Sequence, residues 1–180
     1  IGSIVFGILA AQLVNQKFFG RTFMRSILLF PYVGPVVALA YTWELLLDPY
    51  SGTLNNLLLN FQVIQEPLNL LGQKYLTINF FGFDLKLRLA LTTVIIFEIW
   101  RYFPLAFLFI LARLQAVPKE LYEAADVDGA GPLQKFISIT LPQITAVISI
   151  LFMIRFIWNF NKFEDIFLLT GGASGTRTLP

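Results

Sequence analysis

Residues 118–142 read PKELYEAADVDGAGPLQKFISITLP, and long apolar runs flank this charged stretch on both sides. Pro118 suits the first turn of a helix, where its missing N–H costs nothing. Glu120 and Glu123 fall near that N-terminus, where the helix dipole favours negative charge. Gly129 is the expected stop and Gly131-Pro132 the restart. A second short helix is predicted from Leu133 to about Ile139, ending before Pro142, because a proline pushes its predecessor out of the helical region. The stretch therefore reads as helix, glycine turn, helix, exposed between membrane-embedded segments. Taken alone, the pattern also fits an amphipathic turn lying on a membrane surface.

Composition sets the surroundings. Of 180 residues, 57% are hydrophobic and 13% charged, whereas a soluble domain has about a quarter of its residues charged. With 19 Phe and a mean hydropathy of +0.72, a soluble protein of this size would lack the polar surface to cover itself. The expected fold is an all-α integral membrane protein, a polytopic bundle of transmembrane helices. The net charge of +2 is small and spread out, which argues against a nucleic-acid partner. The chain has no Cys and no His, so disulfides, thiolate chemistry and the usual zinc ligands are excluded. The first 16 residues are uncharged with no basic region ahead of them, unlike a signal peptide. They read as the tail of a membrane helix whose start is missing, and the chain is expected to be incomplete.

Four spans are predicted. The first ends within residues 1–14, where Gly2, Ser3, Gly7, Ala10 and Ala11 favour close helix contact or are ordinary small residues of an apolar helix. The connection 15–25 carries Lys17, Arg21 and Arg25 without an acid, which places it in the cytoplasm by the positive-inside rule. Residues 26–43 carry no charge, and extension to Leu47 makes a full span of the bilayer. Pro31, Gly34 and Pro35 are expected to kink it, and Tyr41 and Trp43 suit the outer interface. Residues 48–86 form an external segment that opens with turn-forming LDPYSG. It has room for a short surface helix and, in the alternation of LTINFFGFDLKL, for an extended piece or hairpin. The third span, 87–112, contains Glu98 and Arg101 at pairing distance. Charges at that depth either lock helices together or line a polar path. Trp100, Tyr102 and Phe103 offer stacking surface for a sugar or plain packing. The fourth span, 143–160, carries Arg155, Trp158 and Asn159, and Asn161 follows. Arg or Asn can bond sugar hydroxyls while Trp158 lies against the ring. Glu98, Arg101, Arg155, Trp158, Asn159 and Asn161 are thus the candidates for a substrate path. Gly171-Gly172 lacks the lysine-bearing pattern of a phosphate loop, and no acid–base dyad or metal cluster stands out, so neither a catalytic residue nor a metal ligand is assigned.

Glu123-Ala124-Ala125, three residues, Gly129, nine residues, Ile139, one residue, Leu141-Pro142 resembles the EAA loop of permease subunits of ABC importers. Every fixed position of that pattern is matched. The wider chain resembles sugar-import permeases of the maltose and glycerol-phosphate type, and Arg155 to Pro180 looks like the MalF-like partner of the pair. The resemblance implies a MetI-like helical core and a non-catalytic translocation subunit in the cell membrane. It also implies a second homologous permease subunit, two ATPase subunits that bind ATP and Mg themselves, and an extracytoplasmic sugar-binding protein. The loop 118–142 would then be cytoplasmic. Glu123, Ala124, Ala125 and Gly129, with Ile139, Leu141 and Pro142, would couple it to the ATPase. The loop fits importers of polyols, amino acids or peptides as well, and an ion-gradient-driven secondary transporter, which should lack such a loop, is the reading from another class.

Overall fold

The computed structural model describes residues 1–16, 18–72, 76–80 and 83–160. Along these the chain forms α1 (Gly2–Asn15), α2 (Arg21–Val33), α3 (Val36–Leu46), α4 (Thr53–Asn60), β1 (Leu76–Phe80), β2 (Phe83–Leu87), α5 (Leu89–Gln115), α6 (Lys119–Val127), α7 (Pro132–Lys135), a π turn (Phe136–Thr140) and α8 (Leu141–Phe160). The fold is helical apart from the β1–β2 hairpin, whose antiparallel register pairs Leu76 with Leu87 and Phe80 with Phe83. Among the described residues two helices are long and apolar enough to cross a membrane, 89–115 and 132–160, and the broken pair α2 and α3 makes a third if counted as one span. α1 is a shorter apolar helix. Lys17 and the C-terminal stretch from Asn161, with Gly171-Gly172, lie outside the described residues.

Two compact units are distinguishable, one built on Ile1–Val33 with residues 99–160, the other on Gly34–Glu98. In the first, Phe107 and Ile110 of α5 and Ile144 of α8 are fully enclosed, with Ile4, Ala11 and Val14 of α1 and Leu151 of α8 around them. Ser3, Gly7 and Ala11 recur every four residues and are all buried, so they form one stripe on α1. A Cβ on Gly7 would stand 2.6 Å from the Ala106 Cβ and 2.9 Å from the Phe107 backbone nitrogen. The small residues of α1 therefore serve close helix contact. Apolar helices in lipid gain little by hiding apolar surface from one another, and tight packing is what holds them.

In the second unit, Trp43 and Phe97 meet edge to face at 5.4 Å. The loop after α3 is closed by Asp48, whose Oδ1 accepts the Ser51 N–H at 2.7 Å, the Ser51 hydroxyl at 2.9 Å and the Tyr50 N–H at 3.0 Å. These bonds, the Ser51 N–H first, hold its carboxyl below the usual value. Asn55, on α4 and 1% exposed, donates to the carbonyls of Asp48 (3.2 Å) and Leu68 (2.9 Å) and accepts the Leu68 N–H at 3.0 Å. One side-chain amide thus clasps a segment that has no ladder of its own.

Two expectations need correction. Residues 26–47 are not one kinked helix. α2 runs through buried Pro31, stops at Val33, and α3 restarts behind Pro35, whose φ of −63° and ψ of 130° are extended. Proline disfavours helical geometry at the residue before it, and here that residue is Gly34, which carries no side chain to hold a helix. Nor does the helix after Gly131 end before Pro142. α7 continues through the π turn into α8, with Pro142 in the first turn of α8. In an α-helix the Pro142 ring would strike the carbonyl of residue 138. The wider turn just before it, closed by the Leu141 N–H on the Phe136 carbonyl, relieves that clash.

Gly7→Leu is expected to destabilise the subunit by about 1–3 kcal/mol through overpacking, read as a lower melting point in detergent, whereas Val5→Leu on the exposed face of α1 should leave it unchanged. Asn55→Ala strands the Leu68 amide and carbonyl groups. Limited proteolysis within residues 61–72 should then run about tenfold faster.

Candidate coupling loop and solute path

Pro118 is the extended residue just ahead of α6, with φ −58° and ψ 133°, and Glu120 lies in the first turn. No residue of α6 is buried. Glu123 and Ala124 are exposed and Ala125 is half-buried. Small side chains at 124 and 125 leave the backbone there little covered, and the exposed carboxylate of Glu123 can accept charge-assisted bonds. The Ala130 N–H returns to the Ala125 carbonyl at 2.8 Å, closing the end of the helix. Gly129 adopts a φ of +74° and a Cβ there would meet nothing within 4 Å. Glycine is needed at this point for backbone conformation, not for space. Gly131 is extended and Pro132 opens α7. Lys135 and Asp126 form an ion pair across the turn. Ile139 is half-buried in the π turn, while Leu141 and Pro142 are exposed at the start of α8.

The loop is fastened by residues that sequence reasoning did not assign. Arg113 donates from Nε to the Gln143 carbonyl at 3.0 Å and from Nη2 to Gln143 Oε1 at 2.5 Å. The hydroxyls of Tyr122 and Thr140 lie 3.0 Å apart. Eighteen and thirty residues separate these partners, beyond the reach of any helical or strand periodicity.

Some of the path candidates gather around a residue that stood among the stacking aromatics. The Arg155 guanidinium carbon lies 3.9 Å from the centroid of the Tyr102 ring, and that of Arg101 lies 5.1 Å from it. Trp158 meets the same ring at 6.4 Å and Tyr32 meets it edge-on at 6.2 Å. Arg155 is buried and Trp158 is 39% exposed. The cluster offers a cation held on an aromatic face, an attraction that strengthens away from water, beside a partly open indole. Tyr32, two residues before Gly34, was missed. Its position one residue beyond Pro31 was the available signal. Phe103 packs against the apolar core of its unit. Glu98 and Trp100 are half-buried on α5, Glu98 about one turn before Arg101. Asn159 is exposed near the end of α8, and Asn161 lies outside the described residues.

The helical fold has counterparts among known proteins. The chain is 37% identical over 169 residues to the inner membrane ABC transporter permease protein YcjO of Escherichia coli, covering 94% of this chain and 54% of that protein. It is 34% identical over 174 residues to the trehalose/maltose transport system permease protein MalF of Thermococcus litoralis, covering 97% and 54%. The chain thus spans about half the length of these relatives. A chain of the bacterial ABC transporter that imports the acidic polysaccharide alginate superposes with a TM-score of 0.67 at 27% identity, over 83% of this chain and 48% of that one. Residues 3–179 match the family described as the binding-protein-dependent transport system inner membrane component, and the chain belongs to that family of non-catalytic ABC-transporter permeases.

Proposed function

We propose that these residues form the core of the membrane-spanning subunit of an ATP-driven importer for a carbohydrate, a di- or oligosaccharide or related sugar. The observation that carries this reading is the exposed α6, ended by a left-handed Gly129 and running on through α7 into a membrane-length helix. An unburied helix tied directly to a membrane span is what a motor subunit needs in order to push. α6 takes the place of the EAA loop, on the cytoplasmic side, and residues 48–86 lie outside. The partners are a second homologous permease, two ATPase subunits and an extracytoplasmic binding protein. ATP and Mg belong to the ATPase subunits. ATP binding draws those subunits together, and the helices pass from inward-facing to outward-facing.

The sugar assignment is supported by the trehalose/maltose relative and the alginate importer, and by the stacking surface of Tyr102 and Trp158 beside Arg155. A MalF-like place in the pair is the finer proposal. Its motif segment, Arg155 to Pro180, lies largely outside the described residues.

The test is purification of the full-length subunit in mild detergent with its neighbours. A second permease and an ATPase should come with it, and recovery alone, with uptake driven by an ion gradient, would overturn the reading. Gly129→Val must hold a β-branched residue at positive φ, at a cost of about 1–2 kcal/mol. It should cut ATP-driven uptake at least about tenfold while the subunit remains in the membrane. Glu123→Ala should act in the same direction, and normal coupled uptake in both variants would refute the coupling role. Tyr102→Ala and Trp158→Ala should each raise the half-saturation concentration for sugar by about tenfold, measured by uptake into vesicles. Unchanged values in both would remove the cluster from the path.

A further inference from the structure

A docked α6 transmits nothing unless it is joined to a membrane helix, and the joint is visible in two hydrogen-bonded pairs. Arg113, near the end of α5, grips both the backbone and the side chain of Gln143. The first turns of α8 are thereby fixed to α5. Tyr122, in the middle of α6, reaches Thr140, the last residue of the π turn, at 3.0 Å. Thr140 is 6% exposed, so its hydroxyl depends on a protein partner. The ion pair between Asp126 and Lys135 also ties α6 to α7, but Asp126 is exposed, and exposed pairs hold weakly. The better-shielded tie is the hydroxyl pair, half-buried at Tyr122 and buried at Thr140.

The π turn gives that tie its mechanical meaning. It holds one residue more than an α turn, so the chain ahead of it is rotated by about 100° from the course of an uninterrupted helix. Such turns interrupt the regular hydrogen-bond ladder of a helix and are found frequently at functional sites. Thr140 stands where the π turn meets the clamped start of α8.

We propose that Tyr122 is a positioning residue for coupling: its bond to Thr140 carries motion of α6 into α8, with Arg113–Gln143 as the fixed base and Phe136–Thr140 as the joint. The proposal rests on reading 118–142 as the coupling element. Tyr122→Phe keeps the ring and removes only the hydroxyl. Thr140→Val keeps the shape and removes the other hydroxyl, and Thr140→Ser restores it.

The experiment uses the complete importer in lipid vesicles. These 180 residues contain no cysteine, so Phe160→Cys, at the exposed end of α8, gives one maleimide-labelling site when any cysteines elsewhere are removed. The readout is the change in labelling rate on adding ATP, alongside ATP hydrolysis and ATPase copurification. With Tyr122 intact, ATP should change the rate. Tyr122→Phe and Thr140→Val should each shrink that change by about fivefold, the weight of one intramolecular hydrogen bond, and together no further. Hydrolysis and copurification should hold, and Thr140→Ser should behave as the unaltered chain. An undiminished ATP response in Tyr122→Phe or Thr140→Val overturns the proposal, as does loss of ATPase copurification in either, which would make the pair a docking feature. Absence of both ATPase and ATP response with Tyr122 intact overturns the coupling reading itself.

Discussion

In lipid a polar group has no water to fall back on, so each one inside must find a partner within the protein. That constraint bears most directly on Arg155, buried in a membrane-length helix, which lies on the face of Tyr102. At the loop end, where water is nearer, Arg113 still serves Gln143 twice and the hydroxyls of Tyr122 and Thr140 pair. Where the backbone itself is interrupted, the interruption is likewise answered locally. The π turn opens ahead of Pro142, and Gly34-Pro35 divides two helices instead of bending one. Outside the long helices the same logic holds in Asn55, whose amide does for a loop what a strand partner does for a sheet.

The two candidate sites differ in character for the same reason. α6 faces outward with its charges exposed, so its chemistry is that of a surface: small side chains, a carboxylate and a glycine turn. The Tyr102 cluster collects cations and rings on α2, α5 and α8 of one unit, and the cation–ring attraction there is worth more for being away from water. An importer needs one element that meets a soluble motor and another that meets a polar solute inside the membrane, and this chain supplies a candidate for each.

Much of the candidate coupling loop was legible from local rules. Helix, stop at Gly129 and restart at Pro132 follow from backbone preferences of single residues, which act over three or four positions. The uncharged spans announced themselves by length. The short helix α4 and the hairpin matched the pattern of residues 48–86. Pro31 misled because a proline inside a membrane helix can be absorbed, and only its surroundings decide which of two prolines breaks the chain. The π turn was illegible for a related reason, since a proline rule written for isolated helices places the stop before Pro142. Arg113 with Gln143, Tyr122 with Thr140, and the ring of residues around Tyr102 are contacts between elements. Nothing in the order of the residues marks them.

The approach of α1 to α5 at Gly7 joins positions about a hundred residues apart, and the second unit is encoded between them. A ribosome adding about 5–20 residues per second leaves α1 in the bilayer for on the order of ten seconds before its partner exists. During that interval the stripe of Ser3, Gly7 and Ala11 faces lipid or the insertion machinery, and the intervening residues can fold first. The contact between α1 and α5 can therefore close only after the residues between them have been made, and its earliest moment is set by the pace of synthesis.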